Sequence, residues 1–292
     1  MGRPAAEVDI DEALVRRLLT DQHPQYADRT LREVDAGWDN VMYRLGDDLA
    51  VRIPRRELAA ELARNEHRWL PLIANRLAIA IPTPVHAGQP SDYYPWHWSI
   101  VPWLTGQTAD VSPPSDDQAV PLAEFMLALH VETMGQAPPN PYRGVALSQR
   151  HDTVVNRIER MSSGPEPVPP ELIELWHTAR QAPPTRQNLW LHGDLHGRNV
   201  LVEDGVITGI LDWGDVTGGD PATDLAGVWM LLNGQQSRKQ CLATYGADET
   251  LILRARGWAT FFAIMHLSAG LDDSPEHAAI GRSAMQRLLE DL

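Results

Sequence analysis

The spacing of apolar positions changes along the chain. Near the start, two runs alternate apolar and polar residues, VMYRL (41–45) and LAVRI (49–53), with Gly46-Asp47-Asp48 between them. Period-two runs on either side of a turn predict a β-hairpin. An amphipathic stretch at 10–20 predicts a short helix before it, and DAGWDN (35–40) supplies a glycine-containing turn. From Glu57 to Leu72 the period becomes helical: Leu58, Leu62, Trp69 and Leu70 fall on one side, with Glu57, Glu61, Arg64 and Arg68 opposite. WHWSIVPWLTG (96–106) reads as a buried strand ending at a turn. The helical pattern returns at 121–130 and dominates at 171–180, 221–232 and 251–270. A strand-rich first third and a helix-rich remainder predict an α+β chain of two lobes, 1–102 and 103–292, joined near Val101–Leu104.

A second hairpin is signalled by NVLVEDGVITGILDWGD (199–215), where Asp204-Gly205 separates two apolar runs. A two-residue turn sets Glu203 against Val206 and, counting outward, Asn199 against Ile210. Asp212 then lies two residues further along, on the face shared with Asn199. Diagonal neighbours of this kind sit roughly 7 to 8 Å apart, close enough to converge on one cation. An amide oxygen and a carboxylate make a hard site suited to Mg²⁺, which takes its other ligands from water and substrate phosphates. Asp194, five residues before Asn199 in the polar stretch WLHGDLHGRN, is placed to orient a substrate hydroxyl and accept its proton.

Composition narrows the partners. With 43% hydrophobic and 22% charged residues, and no apolar run of the length a membrane span requires, the chain reads as soluble. The amphipathic start argues against a signal peptide and for the cytoplasm. Twenty-five basic against 39 acidic side chains give a formal charge of −14. That balance disfavours nucleic acid and membrane surfaces and favours a cationic or neutral small molecule. The lone Cys241 excludes an internal disulfide and a multi-cysteine metal site. Lys239 is the only lysine, so arginine carries the remaining positive charge.

His192-Gly193-Asp194, followed by four residues and Asn199, resembles the HxDxxxxN catalytic loop of the protein-kinase-like bilobal fold. Asp212-Trp213-Gly214 resembles its magnesium-binding D-x-G element. The form LHGDLHGRNVLV…GILDWGD…GDPATDLA is similar to the aminoglycoside phosphotransferase branch, which is related to choline and homoserine kinases. The resemblance implies a small β-sheet N-lobe with one main helix, a larger mainly helical C-lobe, ATP or GTP as donor with Mg²⁺, and a monomer or weak dimer. It makes Asp194 the catalytic residue, Asn199 and Asp212 the metal ligands, and His192 and Asp224 supports of the loop.

In the first lobe LAVRI stands where such enzymes carry VAIK, so Arg52 takes the place of the nucleotide-binding lysine, with Ala50 on its face of the strand. Arginine keeps the charge but replaces a compact ammonium with a planar fork. Its partner is read as Glu66, four residues from both Leu62 and Leu70 on the inward stripe, rather than Glu61 on the charged face. The phosphate-covering loop would contain Gly37. Ile100–Leu104 would form the hinge for the base, with Val101 and Trp103 supplying its polar groups because Pro102 has no N–H. Asp215, with acids of the C-terminal helices, would line a pocket for a cationic acceptor.

The expected activity is γ-phosphoryl transfer to a hydroxyl of an aminoglycoside or related antibiotic. Macrolides, peptide antibiotics, sugars and amino alcohols stand as other acceptors. Two readings compete. A metallophosphoesterase is suggested by Asp194-Leu195-His196-Gly197, although its downstream Gly-Asn-His and Gly-His-x-His motifs are missing from the sequence. A kinase-fold binding protein without turnover is suggested by Arg52.

Overall fold

The computed structural model describes residues 5–36 and 40–292. The chain divides into two compact units, one running to Arg76 and resuming over Ala80–Thr105, the other comprising Leu77–Ile79 and Gly106–Leu292.

The smaller unit holds α1 (Glu12–Gln22), β1 (Leu31–Ala36), β2 (Asn40–Leu45), β3 (Leu49–Pro54), α2 (Glu57–Ala74), β4 (His86–Gly88) and β5 (Trp98–Pro102). Its five strands form an antiparallel sheet in the order β1-β2-β3-β5-β4. The first hairpin closes as expected, Leu45 facing Leu49 around Gly46. Period two then sorts β3. Leu49, Val51 and Ile53 join Tyr43, Leu45, Trp98 and Ile100 in a core shared with Val15, Leu18 and Leu19 of α1. Arg52 and Ser99, which face each other across β3 and β5, instead bond Glu66 and His67 of α2.

The buried face of α2 runs through Ala59, Ala63, Glu66, Leu70 and Ile73. This corrects the expected stripe: Leu58 is 65% exposed because small alanines, not leucines, face the sheet in the first turns. Glu66 nevertheless falls on the inward side, as its spacing from Leu70 requires. The helix continues past Leu72 to Ala74 with Pro71 in its last turns.

In chain order the larger unit contains β6 (Gln107–Thr108), α3 (Ala119–Leu129), α4 (His151–Met161), α5 (Pro170–Ala179), β7 (Leu189–Leu191), β8 (Val200–Glu203), β9 (Val206–Ile210), β10 (Thr217–Gly219), α6 (Ala222–Leu225), α7 (Gly227–Leu231), α8 (Gln235–Tyr245), α9 (Glu249–Asp273) and α10 (Pro275–Glu290). Helix α9 packs against α4, α5, α6, α7 and α10 and carries the buried Trp258, Phe261 and Phe262. Two short strand groups, β6-β8-β9 and β10-β7, lie in this helical unit. Where one helix over 221–232 was expected, the chain breaks at Ala226 into α6 and α7. Among the described residues no helix is long and apolar enough to cross a membrane.

The second hairpin turns at Asp204 (φ 51°) and Gly205 (φ 81°), both in the left-handed region that a two-residue hairpin turn favours. Glu203 faces Val206 as expected. Beyond that the register departs from the ideal count. Val202 pairs with Ile207 but Leu201 with Gly209, so Thr208 is an extra residue on β9. This bulge shifts every later pair by one. Val200, not Asn199, faces Ile210, and the Asn199 carbonyl accepts from the N–H of Leu211 at 2.7 Å.

Candidate active site

Strand β7 is buried throughout and delivers the chain into His192-Gly193-Asp194. Two backbone N–H groups of that loop, His192 and Gly193, donate to the carboxylate of Asp224 at 2.7 and 2.8 Å. Gly193 has φ +90°, and a Cβ there would stand 2.6 Å from the Asp215 carbonyl, so only glycine fits this turn. Asp224 is fully buried and also accepts from Nε2 of His130 at 3.2 Å. The hydroxyl of Tyr245 in turn donates to Nδ1 of His130 at 2.8 Å. Burial by itself would raise the pKa of Asp224; the donors from His130 and Gly193 outweigh it and hold the group ionised below the usual carboxylate range.

His192, also fully buried, ties the loop to the end of the second hairpin. Its Nε2–H donates to the Leu211 carbonyl at 2.8 Å while Nδ1 accepts from the N–H of Asp194 at 3.2 Å. That pairing defines a neutral ring with the proton on Nε2. The ring packs edge-on to Trp213, whose Nε1–H donates to the Ile210 carbonyl at 3.0 Å and plugs the strand end.

Both carboxylate oxygens of Asp194 are engaged. Arg143 Nη2 donates to Oδ1 at 2.8 Å, and His196 Nε2 to Oδ2 at 3.2 Å. Burial opposes the charge, but Arg143 and then His196 override it and keep the carboxyl far below its ordinary pKa. His266, its ring centroid 4.5 Å from that of His196, is held neutral by burial. Asp215, its side chain 34% exposed, accepts from Asn140 Nδ2 at 2.8 Å, and Arg143 lies 3.4 Å away. Burial, reinforced by the charge of Asp194, raises its pKa against the pull of Arg143.

Asn199 is buried in a short 3₁₀ turn, and its Nδ2 donates to the Asp194 carbonyl at 2.9 Å. With the amide nitrogen so committed, Oδ1 is the atom turned to accept. Asp212 follows the residue bonded to Asn199 and is exposed, in left-handed backbone at φ 56°, ψ 72°. Non-glycine residues are uncommon in that region, and aspartate is among those that adopt it most readily. An amide oxygen and an exposed carboxylate are hard donors and fit Mg²⁺ brought with a nucleotide. Among the described residues no three His, Cys, Asp or Glu side chains gather into a metal-binding group.

The other expected residues lie in the smaller unit. Arg52 Nη1 donates to both oxygens of Glu66 at 2.5 Å, a pair 13% and 3% exposed. With its amide oxygen turned inward, Asn40 accepts from Nε and Nη2 of Arg52 at 3.2 and 3.1 Å. Different nitrogens of the planar fork thus serve Glu66 and Asn40. Ala50 pairs with Val101 across β3 and β5, and both are buried. The N–H of Trp103 donates to the Asp48 carbonyl at 2.9 Å, which leaves its carbonyl as the group it can offer. Gly37 lies outside the described residues.

Sequence reasoning missed Arg143 and His130. Arg143 sits in a proline-rich loop with no periodicity, and His130 is the residue after α3. The one local signal is Asn140 ahead of Pro-Tyr-Arg-Gly, a residue type that closes turns.

Residues 30–261 match the model of the phosphotransferase enzyme family. Viomycin phosphotransferase from Streptomyces vinaceus is 35% identical over 130 residues, 42% of this chain and 38% of that protein. The match thus spans about two fifths of the length of this curated relative. Among solved structures, the GDP complex of wild-type aminoglycoside 2'-phosphotransferase-IIIa superposes with a TM-score of 0.69 at 19% identity, covering 97% of this chain and 100% of the other. Macrolide 2'-phosphotransferase MphH from Brachybacterium faecium gives 0.60 at 23% identity, over 93% and 97%. These two likenesses show that the fold is shared.

Proposed function

The chain belongs to the phosphotransferase enzyme family, and we propose that it transfers the γ-phosphoryl group of ATP or GTP, as the Mg²⁺ complex, to a hydroxyl of a cationic antibiotic. The observation that carries this reading is Asp194, kept ionised by Arg143 and His196 on a loop that Asp224 and His192 fix from below. A carboxylate offers about four acceptor positions, and two are used, so room remains for a substrate hydroxyl.

The acceptor oxygen forms a bond to the γ-phosphorus as the bond to the β–γ bridging oxygen breaks, and the nucleoside diphosphate leaves. Because the pKa of Asp194 lies far below neutrality, its main service is orientation, with the proton taken late in a transition state that needs little nucleophile activation. When bound, Mg²⁺ supplies neutralisation of the β- and γ-phosphate charge. Asn199 Oδ1 and the Asp212 carboxylate hold it. Arg52, steadied by Glu66, holds the α- and β-phosphates. Ala50 lines the base, and the backbone of Val101 and the Trp103 carbonyl pair with it. The loop of Gly37 is assigned to the phosphates by resemblance alone. In these terms residues 1–102 bind nucleotide and 103–292 carry catalysis and acceptor, in the cytoplasm where the donor is found.

A cationic acceptor is favoured by the net charge of −14 and by likeness to a viomycin phosphotransferase and to aminoglycoside phosphotransferases. Two variants test the roles. Asp194→Ala is expected to lower turnover by about 10²- to 10⁴-fold while nucleotide still binds. Asp212→Ala is expected to lose Mg²⁺-dependent nucleotide affinity. Unchanged turnover in the first or unchanged affinity in the second overturns that assignment.

A further inference from the structure

Between α3 and α4 the chain makes a loop whose shape is fixed at both ends of one arginine. Asn140 Oδ1 accepts from the N–H groups of Tyr142 and Arg143 at 2.8 and 3.1 Å, closing a turn, while Nδ2 bonds Asp215 at 2.8 Å. On the other side Gly144, at φ +69°, is wedged against the start of α6. A Cβ there would stand 2.9 Å from Leu191 Cδ1 and 3.1 Å from Gly219 Cα. The Gly144 N–H donates to Thr223 Oγ1 at 3.2 Å and its carbonyl accepts from the N–H of Asp220 at 2.9 Å. The guanidinium between these anchors lies over the Phe262 ring, 5.1 Å from its centroid. It reaches Asp194 Oδ1 at 2.8 Å and Asp215 Oδ2 at 3.4 Å.

We propose that Arg143 is a positioning residue for phosphoryl transfer, which fixes the rotamer of the Asp194 carboxylate so that its unused lone pairs meet the acceptor hydroxyl. This rests on the reading of Asp194 as the group that orients that hydroxyl. Two carboxylates this close to one another repel. One guanidinium nitrogen, Nη2, stands 2.8 Å from Asp194 and 3.4 Å from Asp215, and its positive charge lets each carboxylate keep its place beside the other. His196 holds Oδ2 with a single bond at 3.2 Å, so without Arg143 the carboxylate can swing about that contact. A displacement of about 1 Å in a reacting geometry costs on the order of 100-fold in rate.

The experiment is steady-state phosphoryl transfer by Arg143→Ala, Arg143→Gln and Arg143→Lys, with Mg²⁺-nucleotide affinity measured separately and guanidinium chloride added at non-denaturing concentration. The expected result is a kcat lower by about 100-fold in the alanine and glutamine variants, nucleotide KM unchanged, a smaller loss with lysine, and partial rescue of Arg143→Ala by guanidinium. Unchanged kcat overturns the proposal. So does a loss shared by nucleotide binding and untouched by guanidinium, which marks general damage to the loop. Asp194→Asn in the same assay separates the two levels. If it too turns over normally, the reading of Asp194 has failed; if it is inactive while Arg143→Ala is normal, only the role of Arg143 has.

Discussion

Glu66→Ala leaves Arg52 charged in a site where it is 13% exposed. Breaking a buried ion pair from one side costs about 3 to 5 kcal/mol, so the variant should unfold at clearly lower denaturant concentration than wild type, and its nucleotide KM should rise. Equal unfolding midpoints would show that Arg52 does not depend on Glu66 for its burial. At this scale the sequence was informative where a charge broke an apolar pattern. Glu66 stood out because its spacing from Leu70 put a carboxylate on the inward face, and Asp194 and Asn199 because four residues separate them in a polar loop. Arg143 carried no such mark. Its importance comes from a chain reversal that brings position 143 against position 194, and nothing local encodes that contact.

The elements that hold the loop act through backbone N–H groups. Removing the Asp224 carboxylate strips the acceptor from the N–H of His192, the N–H of Gly193 and Nε2 of His130 together. Each buried donor left unpaired costs about 1 to 3 kcal/mol. Asp224→Ala should therefore lower both thermal stability and kcat, and a variant with wild-type kcat would mean the loop holds its shape unaided. In the smaller unit, His67 bonds Ser99, and burial, with His97 and Arg52 nearby, lowers its pKa from 6.5 to about 4. The unfolded chain then takes up a proton more readily than the folded one between these values. The contribution of His67 to stability is complete above pH 6.5 and declines as pH falls towards 4. His67→Gln should flatten this part of the stability–pH curve; superimposable curves for variant and wild type would deny it. Elements with strong periodicity were legible, among them the first hairpin and α2. The bulge at Thr208 was not, because an extra residue leaves the apolar pattern looking regular while moving Asn199 from Ile210 to Leu211. The break at Ala226 was hidden similarly, since 222–231 is buried throughout and has no polar face to mark a turn.

For the molecule as a whole, a strand-rich first third and a helix-rich remainder were readable from the spacing of apolar positions, and the family followed from motifs at 192–199 and 212–214. The acceptor was not, because substrate-recognising loops vary most within a shared fold and carry neither period nor motif. The measurement that bears most directly on the proposed function is mass-spectrometric detection of a phosphorylated product. Wild type and Asp194→Asn would each be incubated with Mg²⁺ and ATP or GTP and a panel of cationic antibiotics that includes viomycin and kanamycin. The expected result is one or more acceptors phosphorylated at a hydroxyl by wild type, with equimolar nucleoside diphosphate, and almost no product from Asp194→Asn. Equal yields of phosphorylated acceptor from the two proteins, or none from wild type with either nucleotide, would contradict it.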